Sequence, residues 1–220
     1  MEAIRRLDTC TVANAIEKFE IRPRNEGFCD SNVRCLFPRL NPMLGYAATA
    51  KISCSSPATG GHNYPERADW WNYILKLPAQ RVVVVEDVDC NPGCGAFFGE
   101  VQANILLALG CVGAVTNGSV RDLPVVEAAG FHFFAGSVAV SHAYVHIVEI
   151  GGPVAVGGLK IQSGDILYGD AHGVLSIPKE IAAEVPAAAA KIIEQEQKVI
   201  ALCRSREFST EKLREAVKAL

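Results

Sequence analysis

No block of lysine or arginine runs through this chain, and that absence removes nucleic acid from the expected partners. Phosphate binding needs a concentrated basic face, whereas here 21 Lys and Arg stand against 24 Asp and Glu, a formal net charge of −3. Long apolar runs are also missing. The longest, residues 105–115, is broken by Gly110 and Gly113 and falls far short of the roughly 20 residues that cross a bilayer. No membrane span is expected. The opening Met1-Glu2-Ala3-Ile4-Arg5-Arg6 lacks the apolar core of a signal peptide. Cys90 and Cys94 have no second Cys/His pair near them in sequence, so they make a poor zinc signature. The other cysteines are scattered, several within apolar segments. All eight are read as reduced thiols of a cytoplasmic protein. Nucleotide fingerprints are lacking too: there is no G-x-x-x-x-G-K-S/T loop. Gly93, Gly95 and Gly99 miss the G-x-G-x-x-G spacing by one residue, and the next strand ends Val115-Thr116-Asn117 where an acidic residue would hold a ribose.

What is present suffices for one full core. Half of the 220 residues are hydrophobic and 20% are charged, with a mean hydropathy of +0.19. The β-branched run at residues 81–86 predicts a strand covered on both faces. A helix from about Glu100 to Leu109, a strand over 112–116, a turn at Asn117-Gly118, a helix over 123–129 and a strand over 132–134 are expected to follow. This alternation predicts a parallel sheet with right-handed crossovers. Upstream, the pattern predicts a helix over 9–19 opening on a Thr cap, an ordered loop over 22–44, a strand over 45–53, a loop over 55–65 and a helix over 66–75. After Gly136, short strands at 144–150, 154–156, 159–161, 165–168 and 174–177 predict an antiparallel portion. From Pro178 the chain reads as helical, over 179–185, 187–203 and 209–219. The expected class is α/β: a core domain over residues 1–178, then a helical extension over 179–220 packed on the core or on a neighbouring subunit.

One constellation carries chemistry. A helix starting near Glu100 would direct the free N–H groups of about Glu100 to Gln102 into the glycine-opened loop, and helix starts attract anions. The next parallel strand would deliver Arg121 and Asp122 beside it. Arg121 can grip a carboxylate through two parallel hydrogen bonds. Glu100 and Asp122 are oxygen ligands suited to Mg²⁺ or Mn²⁺. The implied ligand is small, anionic and oxygen-rich, such as a 2-oxo acid. A structural reading stands beside this one, with Asp122 capping the next helix and Arg121 in a surface ion pair.

Phe98-Gly99-Glu100-Val101, the twenty residues 101–120 with Gly113-Ala114-Val115 and Gly118 among them, and then Arg121-Asp122 resemble the RraA-like family. Thr11-Val12-Ala13-Asn14-Ala15, Gly157-Gly158-Leu159, Gly164-Asp165-Ile166-Leu167 and Asp170-Ala171-His172-Gly173-Val174 with Pro178 extend the resemblance over nearly the whole chain. That family includes metal-dependent 4-hydroxy-4-methyl-2-oxoglutarate/4-carboxy-4-hydroxy-2-oxoadipate aldolases, oxaloacetate decarboxylases and metal-free regulators of ribonuclease E. The resemblance implies a three-layer β/β/α sandwich forming homotrimers or homohexamers with sites between subunits. It further implies Asp122 as a direct ligand of Mg²⁺ or Mn²⁺ and Glu100 on metal-bound water. Arg121 would lie on the substrate carboxylate and the developing enolate, and the backbone of Gly99, Glu100, Val101 and Gln102 would hold the pyruvyl carboxylate. Glu100 stands where characterised aldolases carry Asp, Asn14 replaces an acidic residue, and position 125 is Val.

The activity this implies is a lyase: class II aldol cleavage of a 4-hydroxy-2-oxo dicarboxylate through a metal-stabilised pyruvate enolate, with oxaloacetate decarboxylation beside it. The alternative is a non-catalytic, protein-binding regulator of ribonuclease E on the same scaffold. His142 and His146 are expected on one face of a strand as surface or subunit-contact residues. His62 lies in a glycine-rich loop within possible reach of a second substrate carboxylate, and His172 has no assigned role. Glu194 or Glu196 are candidates to complete a neighbouring subunit's site.

Overall fold

The computed structural model describes residues 2–60 and 64–218; His62, and the last residue of the expected helix at 209–219, lie outside them. A 3₁₀ turn at Ile4–Arg6 leads into α1 (Thr9–Glu17), β1 (Arg34–Cys35) and β2 (Met43–Ser53). Next come α2 (Arg67–Leu75), β3 (Arg81–Asp87), β4 (Ala96–Phe98), α3 (Glu100–Ala108), β5 (Cys111–Val120), α4 (Leu123–Ala128) and β6 (His132–Val138). The chain continues through β7 (His146–Ile150), β8 (Val154–Val156), β9 (Leu159–Ile161), β10 (Ile166–Asp170) and β11 (Gly173–Ile177) to α5 (Val185–Arg204) and α6 (Thr210–Val217).

Nine strands form one mixed sheet, ordered β1-β6-β5-β3-β2-β10-β11, with β4 beside β5 and β7 beside β2. The sheet is nearly closed into a barrel. Its centre is parallel: β3 pairs with both β2 and β5, and β5 with β6. Strand β3 shows why the valine run folds as it does. Val83 and Val85 point into the cluster under α2, α3 and α4, which includes Trp70, Ala103, Leu106 and Val126. Val82 and Val84 point the opposite way, onto Val154, Val156, Leu159 and Ile161 of the β8–β9 hairpin. All four valines are fully buried, each contributing about 1.5–3 kcal/mol. The sheet thus lies between a helical layer and a second β layer. A third cluster joins α1 and α5 over β10 and β11 through Val12, Ile16, Tyr168, Ile177, Val185 and Ala189.

Four local expectations are corrected. Asn117-Gly118 is no turn, because β5 runs on to Val120. The Asn117 side chain imitates a peptide group, accepting from the Asp87 N–H at 2.7 Å and donating to its carbonyl at 2.9 Å. Pairing with β6 shifts register between Thr116 and Ser119, so the strand passes the irregularity as a bulge. Helix α1 is capped by Asp8, whose carboxylate accepts from Thr11 N–H at 2.7 Å; Thr9 is buried instead. The segment over 179–184 forms only turns, and α5 starts at Val185. Pro186 sits in its first turn, where a missing N–H costs nothing. Finally, β7 begins at His146, which leaves His142 in the preceding loop, so the two histidines do not share a strand face.

Candidate active site

Short strand β4 pairs in parallel with the end of β5, Ala96 opposite Ser119 and Phe98 opposite Val120. The Arg121 N–H then donates to the Phe98 carbonyl at 2.9 Å. The two loops leaving these strands are thereby held side by side, and each begins a helix. Gly99 precedes α3 in extended conformation. A β-carbon there would approach Asp122 Oδ2 to 2.5 Å and Arg121 Cγ to 3.0 Å; only glycine permits this packing. Asp122 adopts the left-handed region, φ 59°, a costly backbone state that aspartate tolerates better than most residues.

That conformation aims the carboxylate away from its own helix. Asp122 makes no side-chain cap on α4; its Oδ2 accepts from the Glu100 N–H at 3.0 Å, closing the start of α3 instead. Arg121 Nε lies 3.6 Å from the same oxygen. The expected set of free donors is therefore reduced: Glu100 N–H is engaged. The N–H groups of Val101 and Gln102 remain without an acceptor among the described residues, as helix geometry dictates for a first turn. Both structural roles foreseen for Arg121 and Asp122 exist in part, but the helix Asp122 caps is α3 rather than the one it precedes.

Around this point lies a cavity of about 240 Å³, lined by Gly99, Glu100, Val101, Gln102, Arg121 and Asp122. All the predicted site residues meet there. Arg67, Phe97 and His142 line it as well, and sequence reasoning missed them as site residues. Nothing in the chain order signals Arg67 at the start of α2. His142 is brought in because the loop after β6 is pinned by Ala139 N–H on the Val120 carbonyl and Ser141 carbonyl on Ala96 N–H. A larger cavity, about 660 Å³, is an α1–α5 groove lined by Phe19, Ala187, Ala188 and Ile192 with Lys18 and Lys191. No strand end delivers a residue to it, so the smaller cavity, at the carboxyl ends of β4 and β5, is the better candidate.

The donor set suits a hard divalent cation. Asp122 Oδ1 and the exposed Glu100 carboxylate have no hydrogen-bond partner among the described residues. The Gln102 side chain turns inward: it is 6% exposed, and its carbonyl and amide nitrogen are buried without a partner among the described residues, a costly arrangement. A second set of metal-type groups occurs elsewhere. Cys54, Asp87 and Asp89 bring ligand atoms within 4.8 Å of one another, but these are already committed. Asp89 accepts from Ser53 Oγ, Cys54 N–H and Ser55 N–H, and Asp87 from Asp89 N–H and Gly93 N–H. Burial pushes the Cys54 thiol up to about 12, and the Asp87 and Asp89 carboxylates add to the shift. This group reads as a loop clamp.

The remaining predicted residues lie apart. His146 donates from Nδ1 to the Tyr144 carbonyl, 2.9 Å away, and meets the Tyr64 ring edge-on. His172 Nδ1 lies 3.1 Å from Asp170. Glu194 pairs with Lys198 on the outer face of α5 at 2.7 Å.

A parallel α/β scaffold presenting an Arg–Asp tip against a helix start places this candidate site at the carboxyl ends of strands, where open α/β sheets bind ligands. The family model RraA-like, described as Aldolase/RraA, matches residues 9–176, and the chain belongs to the RraA-like family. A Halalkalibacterium halodurans protein named "Putative 4-hydroxy-4-methyl-2-oxoglutarate aldolase" is 32% identical over 46% of this chain, which spans 48% of that relative's length. Among solved structures, an uncharacterized protein from Pseudomonas syringae pv. tomato superimposes with a TM-score of 0.76 at 23% identity, over 100% of this chain and 92% of that one. RraAS2 of Streptomyces coelicolor, described as an unusual member of the RNase ES inhibitor RraA protein family, gives 0.68 at 21% identity, over 89% and 92%. These two likenesses establish the fold.

Proposed function

We propose that the protein is a divalent-metal-dependent, pyruvate-forming carbon–carbon lyase. It cleaves a 4-hydroxy-2-oxo dicarboxylate of the 4-hydroxy-4-methyl-2-oxoglutarate type, with oxaloacetate decarboxylation as an accompanying activity. The observation that carries this reading is Asp122 Oδ2 on the Glu100 N–H at 3.0 Å, which sets an Arg–Asp pair against an open helix start. The relative named as an aldolase supports it. Eight free cysteines accord with a reducing, cytoplasmic setting.

In this reading the N–H groups of Val101 and Gln102 and the Arg121 guanidinium bind the 2-oxo acid carboxylate. Both reactions leave negative charge on the same three-carbon enolate, and Arg121 neutralises it where it develops. Asp122 Oδ1 and Glu100 would hold Mg²⁺ or Mn²⁺, which supplies Lewis-acid stabilisation when bound. Glu100, exposed at the cavity, accepts the proton of the C4 hydroxyl through solvent. No lysine takes part; Lys51, for one, is held by Glu149 at 2.6 Å.

The test is pyruvate release from oxaloacetate and from 4-hydroxy-4-methyl-2-oxoglutarate, with EDTA and with added Mg²⁺ or Mn²⁺. Wild type should depend on the added ion. Asp122→Ala should lose that turnover, and Asp122→Asn, which keeps the cap on α3, should lose it with unchanged stability. Equal rates in all three proteins would overturn the assignment, as would borohydride trapping of pyruvate on the chain. Complete inactivity together with tight ribonuclease E binding would favour a regulator on the same scaffold.

A further inference from the structure

We propose that Arg67 is the specificity-determining residue of this site, binding a second carboxylate on the substrate at the end remote from the 2-oxo acid group. This inference rests on the lyase reading and adds to it the residue that selects a dianion.

Arg67 opens α2, at the end of a helix where a cation is unfavourable, so helix stability does not explain its presence. It has no carboxylate partner among the described residues, unlike Lys51 or Lys198. Its guanidinium instead rests on the Phe97 ring, 5.8 Å from the centroid, at the wall of the cavity that holds Arg121 and Asp122. The platform beneath it is closely packed. Trp70, one turn further along α2 and fully buried, packs on Phe97 and Phe98 at 5.4 and 6.4 Å. The Glu66–Asp69 capping box fixes the helix start. Phe98 directly precedes Gly99, so the same aromatic stack sets Arg67 relative to the Arg–Asp tip.

Charge leads to the same conclusion. Glu100 and Asp122 against Arg121 leave one net negative charge, which a dication turns into one positive charge, the complement of a monocarboxylate. Arg67 raises that to two, the complement of a dicarboxylate. A guanidinium set over an aromatic ring with no internal ion pair is also a good carboxylate receptor, because it is a planar fork and only weakly hydrated.

Binding and turnover are compared for ligand pairs that differ only in a terminal carboxylate or methyl. Calorimetry with Mg²⁺ or Mn²⁺ present uses 2-oxoglutarate against 2-oxopentanoate; pyruvate release uses 4-hydroxy-2-oxoglutarate against 4-hydroxy-2-oxopentanoate. Wild type should prefer the dicarboxylate by about 10- to 100-fold. Arg67→Gln should abolish that preference while leaving affinity for the monocarboxylate unchanged, and Arg67→Lys should restore part of it. A preference that survives in Arg67→Gln, an equal loss on both ligands, or a wild type that binds neither or both alike would overturn the proposal. Retention of the binding preference without pyruvate release would sink the lyase reading and leave the role of Arg67 standing.

Discussion

Gly99 and Asp122 illustrate how tightly a single atom constrains this site. The added methyl of Gly99→Ala falls 2.5 Å from Asp122 Oδ2, so the carboxylate must leave the Glu100 N–H. The expected cost is that of a lost helix cap plus local overpacking, about 1–3 kcal/mol. Urea denaturation should record it, and the affinity for Mg²⁺ or Mn²⁺ should fall alongside; wild-type stability in the variant would mean that the close approach is not obligatory. The meeting of Glu100, Arg121 and Asp122 at one cavity was legible in the chain because it follows from their position after parallel strands. The direction of the Asp122 side chain was not. It depends on a φ of 59°, and neither charge nor spacing encodes that.

Elements were legible where burial alone decides them. Residues 81–86, buried on both faces, and the β8–β9 hairpin follow directly from β-branched content and alternation. Elements set by a side chain acting as backbone were not: Asn117 carries β5 through a dipeptide that reads as a turn. Asp170 is a second such case, and it ties the start of α1 to the end of β10. It accepts from Thr9 N–H and Oγ at 2.8 and 2.7 Å and from His172 N–H at 2.8 Å. Burial alone would raise this carboxyl, but those hydrogen bonds outweigh it and hold the group below its ordinary value near 3.8. A depressed folded pKa gives stability that is complete above the unfolded value and lost as pH falls through the folded one. Asp170→Asn should therefore lower stability at neutral pH by about 2 kcal/mol and flatten the loss below pH about 4. An unchanged acid limb in thermal melts would show that Thr9 and His172 are not its source.

At the scale of the whole molecule, the site rim is unexpectedly apolar. Val101 is 72% exposed, Val140 95% and Tyr144 59%, on the helix start and the pinned loop that border the cavity. Exposed apolar surface beside a polar site marks contact with another protein. We propose the homotrimer, or a pair of trimers, that the family resemblance implies, with this rim covered by a neighbouring copy. Sedimentation should give a multiple of three of the 23.6 kDa chain, and Val140→Asp should shift it towards monomer; a monomeric wild type would remove the rim from the interface. No described helix is long and apolar enough to cross a membrane.

The divided use of the Asp122 carboxylate has one more consequence. One oxygen maintains architecture, and in the proposed lyase the other would face the ion, so the clamp and the charge are served by different atoms. Replacement by asparagine would silence the charge yet preserve the clamp. On the proposed reading, a lineage built on this scaffold thus has a single-step route from chemistry to a purely shape-reading descendant, without passing through an unfolded ancestor.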